Sequence, residues 1–296
     1  MARRKPDNSP SSSHASPKRN AEQTSPSRAK QAAAGPSVPV SPPERRKGAR
    51  RRSEVPDDVR DGLNIGRLAT ANLVEFLVLD QLELAQAVAK SLGRAARRAI
   101  TPEMGATVRM RTIGLLAAEE FGVDGLGELA AHPSDTVRGW AAYALAALPD
   151  LTLEERLDRA RPLADDPHFG VREWAWLALR PCIAADLDQA LDLLEPWVHE
   201  RAVGIRRFAV EITRPRGVWC AHLESLKRSP APGLPLLDPL SGEPEKYVQD
   251  SVANWLNDAS KSAPDWVRRV CRKWSRKSDS AATRRICQRA LRTIGS

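Results

Sequence analysis

Apolar residues recur at helical spacing along most of this chain, inside a unit that returns at a nearly constant interval. Each unit starts at Val, Ile or Thr, and the positions three, four, seven and eight residues later are mostly apolar. The six units start at Val108, Val137, Val171, Ile205, Val248 and Thr283, at intervals of 29, 34, 34, 43 and 35 residues. A period of this length, filled with helical spacing, predicts an all-α fold: an α-solenoid of stacked helix pairs.

Within each unit the pattern predicts a Pro-marked turn, a first helix and a second helix. Residues 153–163 and 187–198 are two predicted second helices, and residues 70–92 are predicted as one helix ahead of the repeats.

The fourth unit departs from the period, because its interval of 43 residues is the longest of the five. The excess falls in residues 229–244, where frequent Pro and Gly predict a loop or a broken helix. Pro215 predicts an early end to the preceding helix, which leaves Trp219 at the mouth of the unit. Such an irregularity marks either a functional site or tolerance of an insertion.

The net charge of +9 is unevenly distributed over the 296 residues. Residues 1–60 carry +8, residues 61–200 carry −9 and residues 201–296 carry +10. An acidic half followed by a basic half favours one polyanion-binding region over a uniformly basic surface.

Residues 1–60 are rich in Ser, Pro, Ala, Lys and Arg and contain almost no large apolar side chain. They cannot bury enough surface to offset chain entropy, so a disordered basic tail is predicted there, with the repeat domain at 61–296. The basic clusters at 45–47 and 50–52 contact phosphates non-specifically, resemble a nuclear-localisation patch, or are simply solvated.

The composition argues against several functional classes. No apolar run is long enough to span a membrane and no secretory leader is evident, so a cytoplasmic protein is expected. The four cysteines are widely spaced and include no CxxC pair, which indicates free thiols. Neither Cys nor His shows metal-ligand spacing, so no metal and no cofactor are expected.

Three acids share one non-core face in the repeat register. Glu173, Glu211 and Asp258 lie two, six and ten positions after the start of the third, fourth and fifth units, and Asn254 lies on the same line as Asp258. Side-by-side helices would bring these acids together on the concave surface. The alternative is that these acids simply form a solvent-exposed face of each helix, where charged residues are common.

The surrounding basicity favours a chemical role. Arg206, Arg207, Arg214 and Arg216 flank the acids, and a carboxylate that faces DNA weakens binding unless it has another purpose. An alkylated base that is already cationic leaves its sugar without prior protonation, and carboxylates then stabilise the cationic sugar and place a water. One carboxylate about 4 Å away contributes ~4 kcal/mol at an effective dielectric of ~20, or about three decades in rate. Trp219 either adds a cation–π contact to the lesion or caps the core at the broken helix.

These residues also resemble a known family. Residues 206–219 and 247–267, with the string Ser-Val-Ala-Asn-x-Leu-Asn-Asp at 251–258, resemble the AlkC branch of the HEAT-repeat DNA alkylation-repair glycosylases, relatives of AlkD. Residues 70–77 are similar to the family's N-terminal helix, and the resemblance spans about 65–296. It implies HEAT-like repeats with DNA along the concave face. It also implies excision without full flipping of the damaged nucleotide, from substrates that include N3-methyladenine and, for this branch, N3-methylcytosine.

The resemblance also assigns roles. It implies that Glu211 and Asp258 are the catalytic carboxylates, that Trp219 faces the lesion nucleotide, and that Glu173 is a further acid of the site. Trp255 stands where the family has His, which predicts altered contacts to the lesion or to DNA. Gly-Val precedes Trp219 where Leu-Pro is commoner, the basic tail lies outside the family pattern, and no C-terminal immunoglobulin-like domain is expected.

The function predicted from the sequence is therefore that of a DNA glycosylase. A monofunctional mechanism is expected, because no lysine occupies a matched site position to form a Schiff base. We expect a bacterial, nucleoid-associated monomer that acts on double-stranded DNA containing alkylated bases. The candidate DNA contacts are Arg206, Arg207, Arg214, Arg216, Lys246, Asn254 and Lys261. The alternative is a non-catalytic HEAT-repeat scaffold that binds DNA or a protein, which would place no demand on the acids.

Overall fold

A computed structural model describes residues 46–217 and 219–295, and within them the chain forms α-helices, short 3₁₀ turns and no strand. The helices are α1 Asp57–Asn64, α2 Leu73–Phe76, α3 Gln81–Val88, α4 Lys90–Ala99, α5 Ala106–Phe121, α6 Leu126–Ala130, α7 Asp135–Ala147, α8 Leu153–Ala164, α9 Phe169–Ala185, α10 Leu187–Leu194, α11 Val203–Ile212, α12 Glu224–Arg228, α13 Leu234–Leu237, α14 Lys246–Ser260, α15 Pro264–Lys277 and α16 Ala281–Ala290. None of these helices is both long and apolar enough to cross a bilayer.

The first helices of the six units stack in chain order, as the period predicts. These inner helices are α5, α7, α9, α11, α14 and α16, and each packs against the next. The second helices form an outer layer: α8, α10, α13 and α15 each pack against the inner helix of their own unit, and α6 packs against α7 of the next unit. The start residues Val137, Val171 and Val248 are fully buried between the layers. The predicted all-α solenoid of HEAT-like repeats is confirmed.

The residue after each unit start closes the turn that precedes its own helix. Its side chain donates to a backbone carbonyl five or six residues earlier, which satisfies an acceptor that the helix cannot reach. The pairs are Arg109–Met104 at 2.8 Å, Arg138–His132 at 2.7 Å, Arg172–Asp166 at 2.6 Å, Arg206–Glu200 at 2.8 Å, Gln249–Glu243 at 2.8 Å and Arg284–Asp279. The recurring Val-Arg signature is therefore a structural device, shared by all six units.

The helix predicted over 70–92 is wrong: the segment forms α2, α3 and the start of α4. The side chain of Asn72 accepts a hydrogen bond from the amide of Glu75 at 3.1 Å, and that of Asp80 accepts one from the amide of Leu82 at 2.8 Å. Each side chain caps a new helix start, so local polar caps divide a segment whose apolar spacing is continuous.

The predicted boundary at residue 60 lies too late in the chain. Val55 and Val59 are buried in the core, and Nη1 and Nη2 of Arg46 each lie 2.6 Å from a carboxylate oxygen of buried Glu75. The folded domain therefore includes residues from 46 onward. The predicted disorder of residues 1–45 falls outside the described residues.

Residues 229–244 form a broken helix, one of the two predicted outcomes. α13 is flanked by 3₁₀ turns at Ala231–Gly233 and Asp238–Leu240, and Leu236, Leu237 and Leu240 are buried. Gly233 lies so close to Trp255 that a Cβ would stand 2.4 Å from the indole. The extra residues thus form a cover over the Trp255 side chain.

Candidate active site

The three acids predicted to converge lie together, on neighbouring inner helices. Glu173 is on α9, Glu211 on α11 and Asp258 on α14. Arg207 Nη2 lies 2.7 Å from Glu173 Oε1 and 3.6 Å from Glu211 Oε1. Arg214 Nη1 lies 3.1 Å from Glu211 Oε2, and its Nη2 lies 2.8 Å from Asp258 Oδ2. The site is therefore a ladder in which acids and arginines alternate.

Burial makes this ladder costly. Glu211 is 3% exposed and Asp258 is 6% exposed, so both carboxylates have left bulk water. Burial acts to lower the pKa of the Arg214 guanidinium, but the two carboxylates outweigh it and the pKa is raised. Arg214 is thereby held in its charged form between the two acids.

A cleft of about 240 Å³ opens over the ladder. Its lining residues are Glu173, Trp176, Arg180, Arg207, Glu211, Arg214, Arg216, Gly217, Trp219 and Asn254. Asp258 is not part of this lining and connects to it through Arg214. The volume is below the ~300–1,000 Å³ of drug-sized ligand pockets, which suits one base or sugar.

The segment after α11 places Trp219 at the edge of the cleft. α11 ends at Ile212, three residues before Pro215, so the early end predicted from that proline is confirmed. Trp219 is 79% exposed, which rules out its alternative role as a cap on the core.

Arg180 holds this non-helical segment in place. Its guanidinium donates to the carbonyls of Ile212 at 2.7 Å, Arg214 at 2.5 Å and Ala221 at 3.1 Å. Burial lowers the pKa of Arg180, and these three carbonyls compensate for the water it has lost. Sequence reasoning missed this residue, although a single Arg inside the apolar run 174–183 was a usable signal.

Ser251 and Trp255 support the ladder from α14. Ser251 Oγ donates to Glu211 Oε1 at 2.7 Å, and Trp255 Nε1 donates to the carbonyl of Thr213 at 3.0 Å. Trp255 is fully buried, seven positions after Val248 and on the core face of α14. Its indole does not line the cleft, and the altered contact to the lesion or to DNA stays a prediction.

Comparisons with known proteins place this fold. No protein family model matches the sequence. A 66-residue stretch is 44% identical to YhaZ, an uncharacterized protein of Bacillus subtilis, and covers 22% of this chain and 18% of YhaZ. The structure of Pseudomonas fluorescens alkylpurine DNA glycosylase AlkC, bound to DNA containing an abasic site analog, matches with a TM-score of 0.54 at 23% identity, over 71% of this chain and 60% of AlkC. AlkD2 from Streptococcus mutans matches with a TM-score of 0.55 at 21% identity, over 70% of this chain and 99% of AlkD2.

The fold is of the AlkC/AlkD type. This agrees with the resemblance found in the sequence. The chain spans about three fifths of the length of AlkC and a far smaller share of YhaZ.

Within this AlkC/AlkD-type fold, the candidate DNA contacts fall into two groups. Arg206 pairs with Glu243 at 2.8 Å and is the turn-closing residue of the fourth unit, so its guanidinium already has partners, and its phosphate contact stays a prediction. Arg207 and Arg214 belong to the ladder. Their positive charge is shared with carboxylates before any DNA arrives.

The other candidates are at least partly accessible, and two of them line the cleft. Arg216 lines it and donates to the carbonyl of Asp258 at 3.1 Å. Lys246 is exposed at the start of α14, and exposed Lys261 has its Nζ 3.5 Å from Asp258 Oδ1. Asn254 lines the cleft and accepts a hydrogen bond of 2.9 Å from Arg292, a residue that the sequence did not single out.

Tyr247 is a further residue that the sequence reasoning missed. Its ring lies under two guanidinium groups, at 4.2 Å from Arg207 and 5.2 Å from Arg172. Cation–π attraction of this kind fixes the direction of Arg207, and therefore its contacts with both glutamates.

Proposed function

We propose that the protein is a DNA glycosylase that hydrolyses the N-glycosidic bond of cationic alkylated bases, with N3-methyladenine and N3-methylcytosine as candidate substrates. The observation that supports this proposal most is the buried ladder of acids and arginines at the cleft. Burying an ion costs several kcal/mol, and well-packed apolar side chains often match or exceed the stability of a buried ion pair. A scaffold would gain nothing from keeping carboxylates at this position, whereas an enzyme that meets a cation would.

The reaction needs little acid chemistry. When the C1′–N bond breaks, its electron pair goes to the cationic base, which leaves as a neutral molecule. Positive charge then develops on the sugar. Glu211 faces the cleft with Oε1 accepting a hydrogen bond from Ser251, and retains acceptor capacity for that charge. A water adds to C1′ and its proton passes to a carboxylate of the ladder.

Asp258 is assigned the paired role of stabilising the sugar cation and orienting this water, with its place fixed by Arg214. Glu173 is assigned an accessory role: it accepts from Trp176 Nε1 at 3.0 Å, pairs with Arg207, and adds a third negative charge to the cleft. The proposal requires these fixed charges to lie close to the charge that the sugar develops in the transition state.

Binding is assigned to the rim of the cleft. Trp219, exposed there, would stack on the cationic base through its indole face. Arg216, Lys246 and Lys261 would contact backbone phosphates of double-stranded DNA, and Asn254 would contact the lesion strand. No lysine lines the cleft within the described part of the chain, which supports a monofunctional mechanism.

Release of free base from N-methylated duplex DNA, measured by chromatography with mass detection, tests this proposal. We expect release of methylated bases, no release from unmethylated DNA, and an intact abasic strand. Borohydride should trap no covalent complex, because no Schiff base forms. A protein that binds the duplex but releases no base at any enzyme concentration would instead be the non-catalytic scaffold.

A further inference from the structure

A second concentration of positive charge lies on α15, outside the cleft. Five exposed cations occupy one face of this helix and together line one open depression of the surface: Arg269, Arg272, Lys273, Arg276 and Lys277. The opposite face is the buried stripe of Val267, Val270, Cys271 and Trp274. At 100° and 1.5 Å per residue, the five cations span an arc of about 140° and about 12 Å of helix axis. We call this set the α15 face.

The α15 face is poorly compensated by acids. Lys273 pairs with Asp238 at 2.8 Å, whereas the other four cations take part in no ion pair among the described residues. Like charges three or four residues apart on a helix repel each other. The helix dipole favours cations in the last turn, which accounts for Arg276 and Lys277 but not for Arg269 and Arg272. Folding alone therefore gives no reason for this concentration.

The α15 face points away from the acid ladder. Asn254 and Asp258 lie on the polar side of α14, towards the cleft and α11, whereas α15 packs on the apolar side of α14, with Trp266 beside Trp255 at 6.2 Å between ring centres. The cations project from the far side of α15. None of the five cations is among the residues that line the cleft over the ladder. A DNA segment seated in the cleft therefore contacts a different set of residues from those of the α15 face.

We propose that the α15 face is a second docking surface for duplex DNA, which holds the phosphates of a segment separate from the one in the cleft. Duplex DNA carries one negative charge per about 1.7 Å of axis, so about seven phosphate charges lie over the ~12 Å along which the α15 face offers five cations. Three of the five are arginines, whose planar fork suits phosphate oxygens. The face has no exposed large apolar side chain, which disfavours a protein interface core or insertion into a membrane.

Such a surface would raise the effective concentration of DNA around the enzyme by holding it at two points. This role goes beyond the proposed base excision, because it requires neither a lesion nor a chemical step. It can therefore be tested on undamaged DNA, and it survives or fails independently of the glycosylase activity.

The test is the number of short undamaged duplexes of about 12 base pairs that the full chain binds at low salt, from titration calorimetry and anisotropy. The variant R269Q/R272Q/R276Q removes three charges from the α15 face. The matched control R159Q/R201Q/R228Q removes three exposed arginines scattered over other parts of the surface. All six positions are solvent-exposed, and circular dichroism melting verifies that each variant folds.

We expect wild type and the control to bind two duplexes per chain and the α15 variant to bind one. The salt dependence of the second site should be steep, with a slope of about −0.9 for each phosphate contact. Equal stoichiometry for both variants would overturn the proposal. Binding to phosphatidylglycerol vesicles is measured in parallel. If the α15 variant loses vesicle binding but still binds two duplexes, the face belongs to a membrane surface and the proposal is overturned. A self-association that only the α15 variant abolishes would assign it to a second copy of this chain.

Discussion

Arg214 holds Asp258 by two nitrogens, with Nε 2.9 Å and Nη2 2.8 Å from Oδ2. The remaining nitrogen of the same guanidinium, Nη1, reaches Glu211 at 3.1 Å. The fork geometry of arginine allows one side chain to fix two carboxylates from different repeat units. The orientation of both proposed catalytic acids therefore depends on Arg214, and Ser251 and Arg207 hold Glu211 as well.

Replacing Arg214 tests that dependence. Arg214→Ala leaves two buried carboxylates without their shared cation, so we expect the free energy of unfolding in urea to fall by about 3–5 kcal/mol at pH 7. Arg214→Lys keeps the charge but loses the fork, and it should fold yet release base more slowly. The control Arg228→Ala removes an exposed arginine and should change stability by less than about 0.5 kcal/mol. An Arg214→Ala protein as stable as this control would show that Arg214 does not stabilise the two buried carboxylates.

Trp219 should affect function without affecting stability. Because its side chain is largely exposed, Trp219→Ala removes little buried surface and should leave the unfolding midpoint unchanged. Loss of a cation–π contact of about 0.5–2 kcal/mol predicts a 2- to 30-fold lower rate of base release. Trp219→Phe should recover part of the rate in single-turnover assays. Full activity in Trp219→Ala would show that the damaged base does not stack on Trp219.

Trp255 should show the reverse behaviour. Trp255→His removes buried volume and the hydrogen bond to Thr213, so we expect about 3 kcal/mol lower stability. The folded fraction should keep the wild-type preference among methylated bases, measured at low temperature. A changed preference with unchanged stability would instead bring Trp255 into contact with substrate.

The start of the folded domain can be tested by truncation. Removing residues 1–45 should leave the unfolding free energy within about 0.5 kcal/mol of wild type. Removing residues 1–60 should cost more than about 3 kcal/mol, because Glu75 then loses Arg46 while it stays buried, and the core loses Val55 and Val59. Equal stability of the two truncated chains would show that residues 46–60 do not stabilise the folded domain.

The same ion pair predicts a pH signature. Burial acts to raise the pKa of Glu75, but the hydrogen bonds from Arg46 and from the Ala71 amide outweigh it, and the pKa lies below 4.5. The unfolded chain therefore binds the proton more readily, so the stability from Glu75 is present above pH ~4.5 and is lost as the pH falls through the lower folded value. Glu75→Gln should flatten this part of the acid unfolding profile.

Register was the most informative property of the sequence. Helical spacing determines which face of each helix is buried, and it therefore predicted the stacking of the inner helices and the convergence of Glu173, Glu211 and Asp258. Trp255 lies on a core position of the same register, so its burial was also available from the spacing. The resemblance to the family gave only that Trp replaces His at this position.

Contacts made across turns were not available from spacing. Arg206 counted as a free cation in the sequence, but its partners are carbonyls of its own turn and Glu243, which lies 37 residues later in the chain. Arg180 likewise acts through carbonyls of a segment whose path no periodicity describes. Asn72 and Asp80 divided a predicted helix, because a cap depends on one side chain rather than on a period.

The most direct measurement is single-turnover base release by Glu211→Gln and Asp258→Asn on methylated duplex DNA, with DNA affinity measured in parallel. Both variants preserve side-chain shape, and Asp250→Asn is the matched control, an acid on the same line of α14 that pairs with Arg285 outside the ladder. We predict that each ladder variant slows release by about 10²–10³-fold, since one carboxylate near the sugar cation contributes ~4 kcal/mol. Affinity should stay within a few-fold and the control should retain the wild-type rate. Wild-type rates in both ladder variants, with normal DNA affinity, would contradict a catalytic role for these acids.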